Sequence, residues 1–212
     1  MIGQITTYFQ TSIARWTGML SAHVAISLLS LLLAIVIAIP VGFLCVRFKE
    51  VQKAVVAVFS TLRIVPSLAV LLLMLPILGT GTAPATIALV LLAIPPILVN
   101  TVAGLEGVPD FMLETAAGMG MEARQIWTKV RLPLALPLMM AGIKTAAVEI
   151  VASATLAARI GAGGMGELIF TGIGLFRSDL LLIGGLSVAV LSLLTGLLFG
   201  LAEKALLKYK TV

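Results

Sequence analysis

The sequence predicts an all-α integral membrane protein with five transmembrane helices and one cytoplasmic helix. Apolar residues make up 60% of the 212 residues and charged residues only 11%. The mean hydropathy of +1.19 is far above what soluble domains show. A membrane-spanning helix needs about 20 mostly apolar residues, so the chain has room for about five or six spans and little else.

The spans are separated by segments that contain turn-forming or charged residues. We expect spans over residues 23–46, 54–78, 83–103, 134–158 and 180–201. The connections are a short basic segment, a tight uncharged turn, a long polar segment and a glycine-rich segment. No linker, charge block or low-complexity segment divides the chain. Residues 1–212 are therefore expected to form a single transmembrane domain.

Lysine and arginine are unevenly distributed over the ends of the spans, and cytoplasmic loops carry the excess. One side holds nine of them: Arg47, Lys49, Lys53, Arg124, Lys129, Arg131, Lys204, Lys208 and Lys210. The opposite side holds three: Arg15, Arg159 and Arg177. We therefore expect a multi-pass cell-membrane protein whose N-terminus lies outside the cell and whose C-terminus lies in the cytoplasm. The net charge of +5 then reflects topology and anionic lipid headgroups, not a nucleic-acid partner, because no basic patch with interleaved aromatics is present.

The residue types do not support a metal site or a hydrolase active site. The chain has one cysteine, Cys45, and one histidine, His23, too few for a metal site or a Ser-His-Asp triad. We expect His23, at the start of the first span, to pack at the outer interface. The N-terminal 16 residues lack the features of a signal peptide and are expected in the mature protein.

The long polar segment contains the stretch ETAAGMGMEARQIWTKVRLPLALP, which begins at Glu114. In a helix starting near Met121, apolar Ile126 and Trp127 share one side, and charged residues such as Arg124 spread over the rest. Glycines before it and prolines after it predict a bend and the restart of a membrane helix. A helix lying on the lipid headgroups would have the same pattern, so the amphipathic character alone leaves both interpretations open.

The spacing of this stretch resembles the EAA motif of ATP-binding cassette (ABC) importer permeases. Glu114 precedes Gly120 by six residues, and Gly120 precedes Leu132-Pro133 by twelve, as in that motif; Thr115 replaces the first alanine of its triplet. In that family the motif is a coupling helix that lies in a groove of the ATP-hydrolysing subunit. Binding to lipid headgroups would not require Gly120 and Leu132-Pro133 at this fixed spacing. The resemblance implies a coupling helix over about 114–131 and contacts with the ATPase from Glu114, Ala116, Ala117, Gly118, Gly120, Glu122, Arg124, Ile126, Trp127 and Lys129.

Longer stretches resemble the osmoprotectant branch of these permeases, which carry glycine betaine, carnitine or choline. They include RIVPSLAVLLLMLPILGTGT and ATLAARIGAGGMGELIFTGI. The resemblance implies the type I ABC importer permease fold and no covalent chemistry in this chain. Its implied partners are a second permease copy or homologue, two ATPase subunits and an extracytoplasmic substrate-binding protein. The methionine-uptake branch has similar length and span number, so methionine or another amino-acid-like solute is the alternative substrate.

The source of energy is expected to lie outside this chain. The phosphate-binding pattern G-x-x-x-x-G-K-S/T needs the dipeptide GK, which occurs nowhere in the sequence. We therefore expect no cofactor here, with ATP and Mg²⁺ on the partner subunit. An ion-coupled secondary transporter is a competing class, but it predicts an internal repeat that the sequence does not show.

A translocation pathway is predicted from polar residues and prolines inside spans, where a charge costs about 2.5–3.5 kcal/mol at the helix centre. Glu149 lies near the middle of the fourth span; it either faces a passing cationic or zwitterionic solute or pairs with Arg63 or Lys144. Six prolines are expected to bend or break helices: Pro40, Pro66, Pro76, Pro95, Pro96 and Pro137. The candidate pathway residues are Arg63, Pro66, Ser67, Asn100, Glu149 and Ser153.

The glycine-rich segment after the fourth span is predicted to turn sharply on the outer side. Its sequence GAGGMG also fits the dinucleotide fingerprint G-x-G-x-x-G, but that motif needs a preceding strand in a βαβ unit. The resemblance favours a loop beside an outer gate, formed by Gly161, Gly163, Gly164 and Gly166. Aromatic residues are only 6% of the chain, too few for an aromatic cage around a quaternary ammonium. We therefore expect a low-affinity transit site here and tight capture by a separate protein.

Overall fold

Helices dominate residues 2–206, the part of the chain that the computed structural model describes. Lys208 and Lys210, used above for the orientation, lie outside these described residues. The helices are α1 (Ile2–Arg47), α2 (Lys49–Leu62), α3 (Ser67–Leu73), α4 (Leu75–Leu78), α5 (Thr82–Glu106), α6 (Asp110–Gly118), α7 (Ala123–Gln125), α8 (Leu132–Ala157), α9 (Gly166–Gly174) and α10 (Ser178–Leu206). A π-helical turn, Ile126–Arg131, joins α7 to α8, and a 3₁₀ turn, Ala158–Ile160, follows α8.

Four helices in residues 2–206 are long and apolar enough to cross a membrane: Gly3–Arg47, Thr82–Glu106, Ala123–Ile160 and Ser178–Leu206. A fifth crossing is formed if α2 and the α3–α4 segment count as one broken span. The prediction of an all-α membrane protein with five spans is confirmed at this level. Two predicted spans, 83–103 and 180–201, lie within α5 and α10, and both helices extend a few residues beyond them.

The first helix begins much earlier than the predicted span at residue 23. Helix α1 starts at Ile2 and is kinked at Ser12, where the backbone leaves helical geometry with φ −132°. Its early half is anchored by side chains such as Trp16, which packs on the apolar cluster around Met19 and Leu180 and donates a hydrogen bond from Nε1 to Ser187 Oγ at 3.1 Å. Packing against α10 therefore extends the helix through a polar stretch that hydropathy does not recognise as a span.

The predicted second span, 54–78, is wrong as one continuous helix. Helix α2 ends at Leu62, and the chain resumes as α3 at a bend of 97°. Pro66 precedes α3 directly; its ring disfavours helical geometry in the residue before it, and it has no N–H to continue the helix. The expected breaks at Pro40, Pro95, Pro96 and Pro137 do not occur, because α1, α5 and α8 run through them.

Helix α5 is the centre of the bundle, buried along most of its length between α1 and α8. Glycines allow the close approach. A Cβ atom on Gly142 of α8 would lie 2.7 Å from both Asn100 Cβ and the Pro96 carbonyl oxygen. One on Gly104 of α5 would lie 2.7 Å from the Ala135 carbonyl oxygen. Small residues at such contacts let transmembrane helices pack through their backbones.

Helix α10 lies at the edge of the bundle, where it packs on α8 and α9. Much of its apolar surface is uncovered in the single chain: Leu193 is 73% exposed and Leu198 is 65% exposed. In a bilayer such side chains contact lipid or another membrane helix, so their exposure here is consistent with a membrane environment.

Replacing Gly142 by alanine is expected to loosen the α5–α8 contact. The new methyl group would meet a backbone oxygen that cannot move aside, and overpacking of this kind lowers the free energy of unfolding by about 1–3 kcal/mol. The matched control is Gly185→Ala in α10, where nothing lies within 4 Å of the new Cβ. Thermal unfolding in detergent should show a lower melting temperature for Gly142→Ala only; equal melting temperatures would contradict this packing.

Candidate functional site

The polar segment between the third and fourth spans forms two helices joined by a turn; the coupling segment expected over about 114–131 is therefore divided at the glycines where a bend was predicted. Helix α6 ends at Gly118, and α7 begins at Ala123. Between them Gly120 adopts a φ of +82°, a left-handed conformation that costs other residues about 1–2 kcal/mol. Gly120 therefore reverses the chain, whereas the sequence pattern alone placed only a bend here.

The second helix continues into the membrane span without the predicted restart at Pro133. Its start is fixed by a capping box in which Glu122 and Gln125 each accept a hydrogen bond from the other's backbone N–H. The π-helical turn Ile126–Arg131 then leads into α8. This wider turn makes room for the Pro133 ring, which would clash with the Lys129 carbonyl oxygen in a regular α-helix. The whole unit, Ala123–Ile160, is 38 residues long.

The side chains of this segment separate into an inner and an outer group. Ala116 is only 2% exposed and holds α6 to the rest of the chain. Trp127, predicted to contact the ATPase, lies on the inner side: its ring meets the Phe43 ring edge to face at 5.8 Å, and the Arg131 guanidinium lies 5.3 Å from its centre. Arg131 also donates a hydrogen bond from Nε to the Leu105 carbonyl oxygen at 3.1 Å. Trp127 and Arg131 therefore anchor the segment to α1 and α5.

The outer group comprises most of the predicted coupling residues and some that sequence reasoning missed. The exposed predicted residues are Glu114, Ala117, Gly118, Gly120, Glu122, Arg124 and Lys129, while Ile126 is half-buried. Phe111 is 63% exposed and Met119 is 71% exposed, and neither was predicted. The available signal was their position at the two ends of α6, a helix predicted to lie outside the bilayer. The exposed surface from α6 through the Gly120 turn to Lys129, on the side predicted to face the cytoplasm, is called the cytoplasmic knob below.

The structure brings two of the predicted pathway residues into contact. Arg63 Nη2 donates to Glu149 Oε1 at 3.4 Å, and the two side chains remain 43% and 45% exposed. Lys144, the other possible partner of Glu149, instead lies near α10, where its Nζ is 3.4 Å from the position of a Cβ on Gly200. Glu149 therefore pairs with Arg63, which lies at the bend between α2 and α3.

The other predicted pathway residues occupy different positions. Ser67 is the first residue of α3 and is half-buried; Pro66, before it, is exposed. Ser153 lies one turn after Glu149 in α8 and is half-buried. Asn100 donates from Nδ2 to the Pro96 carbonyl oxygen at 2.8 Å and packs at Gly142. Asn100 thus belongs to the α5–α8 contact, while Ser67 and Ser153 flank the ion pair along the chain.

The half-exposed ion pair indicates what surrounds it. A charge at the centre of a lipid-facing helix costs about 2.5–3.5 kcal/mol on insertion scales. Arg63 and Glu149 keep more than two fifths of their side-chain surface open, so burial within this chain does not remove that cost. Intramembrane charges of this kind face water or protein. The surface that carries the pair is therefore expected to face water or protein rather than lipid.

The glycine-rich loop turns back onto the bundle. Gly161, Gly163 and Gly164 all have positive φ values, between 76° and 85°, and Gly166 begins α9 directly against the Thr155 carbonyl group. The Gly81 N–H donates to the Ile160 carbonyl oxygen at 2.7 Å, which ties the end of α8 to the start of α5. The loop is thus held by contacts with two other segments.

His23, expected to pack at the outer interface, is buried within the chain. Its side chain is fully buried, with Nε2 3.0 Å from the Val151 carbonyl oxygen. A Cβ on Gly164 would lie 3.1 Å from its Nδ1. The reason is that α1 begins at Ile2, so His23 lies in the middle of a helix, beneath the glycine loop.

A cleft of 530 Å³ was not predicted from the sequence; it lies at the end of the molecule predicted to face outward and is called the outer cleft below. It lies between the first turns of α1, α9 and the start of α10, and its polar lining includes Thr7, Tyr8, Thr11, Arg15, Thr171 and Arg177. Arg177 donates to both carboxylate oxygens of Asp179, with Nε 3.1 Å from Oδ1. This hydrogen bonding raises the pKa of Arg177 above its ordinary value. In the sequence, the only signal for this cleft was the set of basic residues counted for the outer side.

A bundle of membrane helices with an exposed polar segment at its basic end and a half-exposed ion pair between helices has the architecture of a transport permease. Residues 34–208 match the model of the binding-protein-dependent transport system inner membrane component family, and the chain belongs to this family. Within residues 2–206, no group of three or more His, Cys, Asp or Glu side chains is arranged to hold a metal ion.

Named relatives match over nearly the full chain. The carnitine transport permease protein OpuCB of Listeria monocytogenes is 42% identical, over 94% of this chain and 91% of its own. The glycine betaine/carnitine/choline transport system permease protein OpuCB of Bacillus subtilis is 34% identical, over 96% and 94%. The inward-facing crystal structure of the MetNI methionine ABC transporter superimposes with a TM-score of 0.79 at 23% identity, covering 90% of this chain and 95% of that one. The chain thus has the type I ABC importer permease fold.

Replacing Gly120 is expected to unfold the cytoplasmic knob locally. Gly120→Val must adopt a left-handed conformation that a β-branched residue avoids, whereas Gly120→Asn tolerates it better. The matched control is Gly118→Val, at a helical position with nothing within 4 Å. Hydrogen–deuterium exchange of residues 110–122 should speed up several-fold in Gly120→Val, since about 1–2 kcal/mol of local stability is lost. Equal exchange in the Gly118 and Gly120 variants would contradict this role of the turn.

Proposed function

We propose that this chain forms half of the translocation pathway of an ABC importer for an osmoprotectant such as glycine betaine, carnitine or choline. The observation that carries the proposal is the cytoplasmic knob, an exposed helix and glycine turn that lead directly into the 38-residue helix bearing Glu149. The names of the relatives supply the substrate class, because they describe permeases for these quaternary ammonium solutes.

The knob supplies the mechanical connection to two ATPase subunits, which would hold ATP and Mg²⁺. Met119 and Phe111 extend from it and suit an apolar groove, while Glu114, Glu122, Arg124 and Lys129 suit a polar rim. Trp127 and Arg131 transmit force because they fasten the same segment to α1 and α5. Closure of the ATPase dimer would then move the helices and alternate access between the two membrane faces.

A second copy of the chain, or a homologue, completes the pathway. The ion pair of Arg63 and Glu149 is open to the side in the single chain, and such a pair is stable in a membrane only against water or protein. Facing copies would enclose an aqueous passage lined by Arg63, Pro66, Ser67, Glu149 and Ser153, with Asn100 supporting α8 from behind. The glycine loop of Gly161, Gly163, Gly164 and Gly166 would close the outer end of this passage.

An extracytoplasmic binding protein would dock on the opposite side from the knob. The outer cleft carries Arg15 and Arg177 beside several hydroxyl groups, a surface that suits acidic and polar side chains of a docking protein. This arrangement requires the N-terminus outside and the knob in the cytoplasm, in agreement with the distribution of basic residues.

Cysteine labelling tests this orientation. The native Cys45 is only 4% exposed, so an introduced cysteine is expected to dominate the reaction with a membrane-impermeant maleimide. Gly118→Cys in the knob should react in inside-out vesicles, and Thr11→Cys in the outer cleft should react in right-side-out vesicles. The reverse pattern would overturn the orientation.

Reconstituted uptake tests the function. The complete complex, in liposomes that contain ATP, should import labelled glycine betaine only when ATP is hydrolysed; import driven by an ion gradient without ATP would refute the proposal. Ala117→Arg places a large charge on the exposed surface of α6 and should abolish both ATPase co-purification and import. The control Ala205→Arg makes the same change at an exposed site at the end of α10 and should keep both. Normal ATPase binding by Ala117→Arg would remove the knob from coupling.

A further inference from the structure

We propose that the Arg63–Glu149 pair is a binding site for zwitterionic solutes, in which Arg63 takes the solute carboxylate and Glu149 faces its quaternary ammonium. This inference rests on the function proposed above and adds the groups that recognise the solute within the membrane. The pair would also discriminate a zwitterion, such as glycine betaine, from a simple cation, such as choline.

The pair is geometrically incomplete. A guanidinium and a carboxylate can form two parallel hydrogen bonds, but here one long contact of 3.4 Å joins Nη2 of Arg63 to Oε1 of Glu149. The guanidinium has five N–H donors and the carboxylate about four acceptor positions. Only one of these donors and one of these oxygens are engaged in the pair, and both side chains remain more than two fifths exposed. A solute can therefore reach both charges at once.

The backbone holds the two charges on separate elements. Arg63 follows the last residue of α2, at the bend of 97° before α3, while Glu149 lies within the regular part of α8. Helix α3 packs against both α5 and α8. A shift of α3 relative to α8 would therefore change the Arg63–Glu149 separation. The site can open to admit a solute and close again without unfolding either helix.

Charge balance favours a zwitterion. In the empty state Arg63 and Glu149 neutralise each other, and an inserted zwitterion keeps each charge opposite a partner of the other sign. A simple cation would pair with Glu149 but leave Arg63 without a carboxylate, so it gains one charged contact where a zwitterion gains two. A simple anion is disfavoured for the same reason, because it would pair with Arg63 and leave Glu149 unpaired.

Glu149 also replaces a feature that is missing near the pair. A quaternary ammonium has no N–H to donate, so only negative charge or aromatic faces attract it. The ring-to-ring contacts in residues 2–206 lie elsewhere, among Tyr8, Phe9 and Trp16 and between Phe43 and Trp127. Phe59, one helical turn before Arg63, packs against the core cluster rather than in a cage. A carboxylate without an aromatic cage gives a weaker site, and weak binding allows a solute to leave quickly.

The test compares initial import rates of glycine betaine and choline by the complete complex. Arg63→Gln should lower the betaine-to-choline ratio by about tenfold or more, through loss of betaine import or gain of choline import, since a charged hydrogen bond to the carboxylate is lost. Glu149→Gln should lower both rates. Lys144→Gln is the matched control. It removes a charge from the same helix, but one that lies near α10 rather than at the pair. The betaine-to-choline ratio of this variant should equal that of the wild type.

A purely structural ion pair makes different predictions. The double variant Arg63→Gln with Glu149→Gln leaves no unpaired charge, so it should assemble even if a single variant does not. Full betaine import by this variant, or an unchanged solute ratio in assembled Arg63→Gln, would overturn the inference. If the wild-type complex imports neither solute with ATP, the proposed function itself fails. If the wild-type complex imports betaine and the variants keep its betaine-to-choline ratio, the binding role of the Arg63–Glu149 pair fails but the proposed function does not.

Discussion

The contact between α5 and α8 is the constraint on which the rest of the structure depends. Between lipid-embedded helices the hydrophobic effect gives little attraction, so association relies on close packing. Gly104 and Gly142 supply it, because each places the opposing backbone where a Cβ atom would stand. Gly42 of α1 repeats the arrangement against Thr101. Helices α1, α5 and α8 thus form one rigid layer, and α2, α3 and α10 are added to its edges.

The layer of α1, α5 and α8 explains why the chain tolerates the helix break between α2 and α3 beside it. Polar backbone groups released by a break in a membrane helix need protein or water as partners, and α3 finds protein in α5 and α8. The bend places Arg63 against Glu149, so a structural break and a pair of charges occupy the same place. The buried His23 is held on the same layer through the Val151 carbonyl oxygen, and the glycine loop packs on His23 at Gly164.

Parts of this arrangement followed from sequence for identifiable reasons. Spans 83–103 and 180–201 were located well because long apolar runs have few competing interpretations, and the knob was located through its motif spacing. Other features depend on tertiary contacts. Six prolines look alike in sequence, yet Pro66 and Pro76 stand at helix starts after a break, while α1, α5 and α8 run through the other four. Periodicity placed Trp127 with an apolar face but could not show that Phe43 covers it. Polar residues before His23 concealed the early start of α1.

The continuity of the helix from Ala123 to Ile160 has a mechanical consequence. At about 1.5 Å per residue, its 38 residues form a rod roughly 57 Å long. Such a rod is a lever: pivoting near its inner end by about 5° would carry the outer end through roughly 5 Å, the pitch of one helical turn. The glycine loop at that end is fastened to the start of α5 by Gly81. A small stroke at the inner end of this rod would therefore become a larger displacement at its far end, and the layer of α1, α5 and α8 would turn with it as one body.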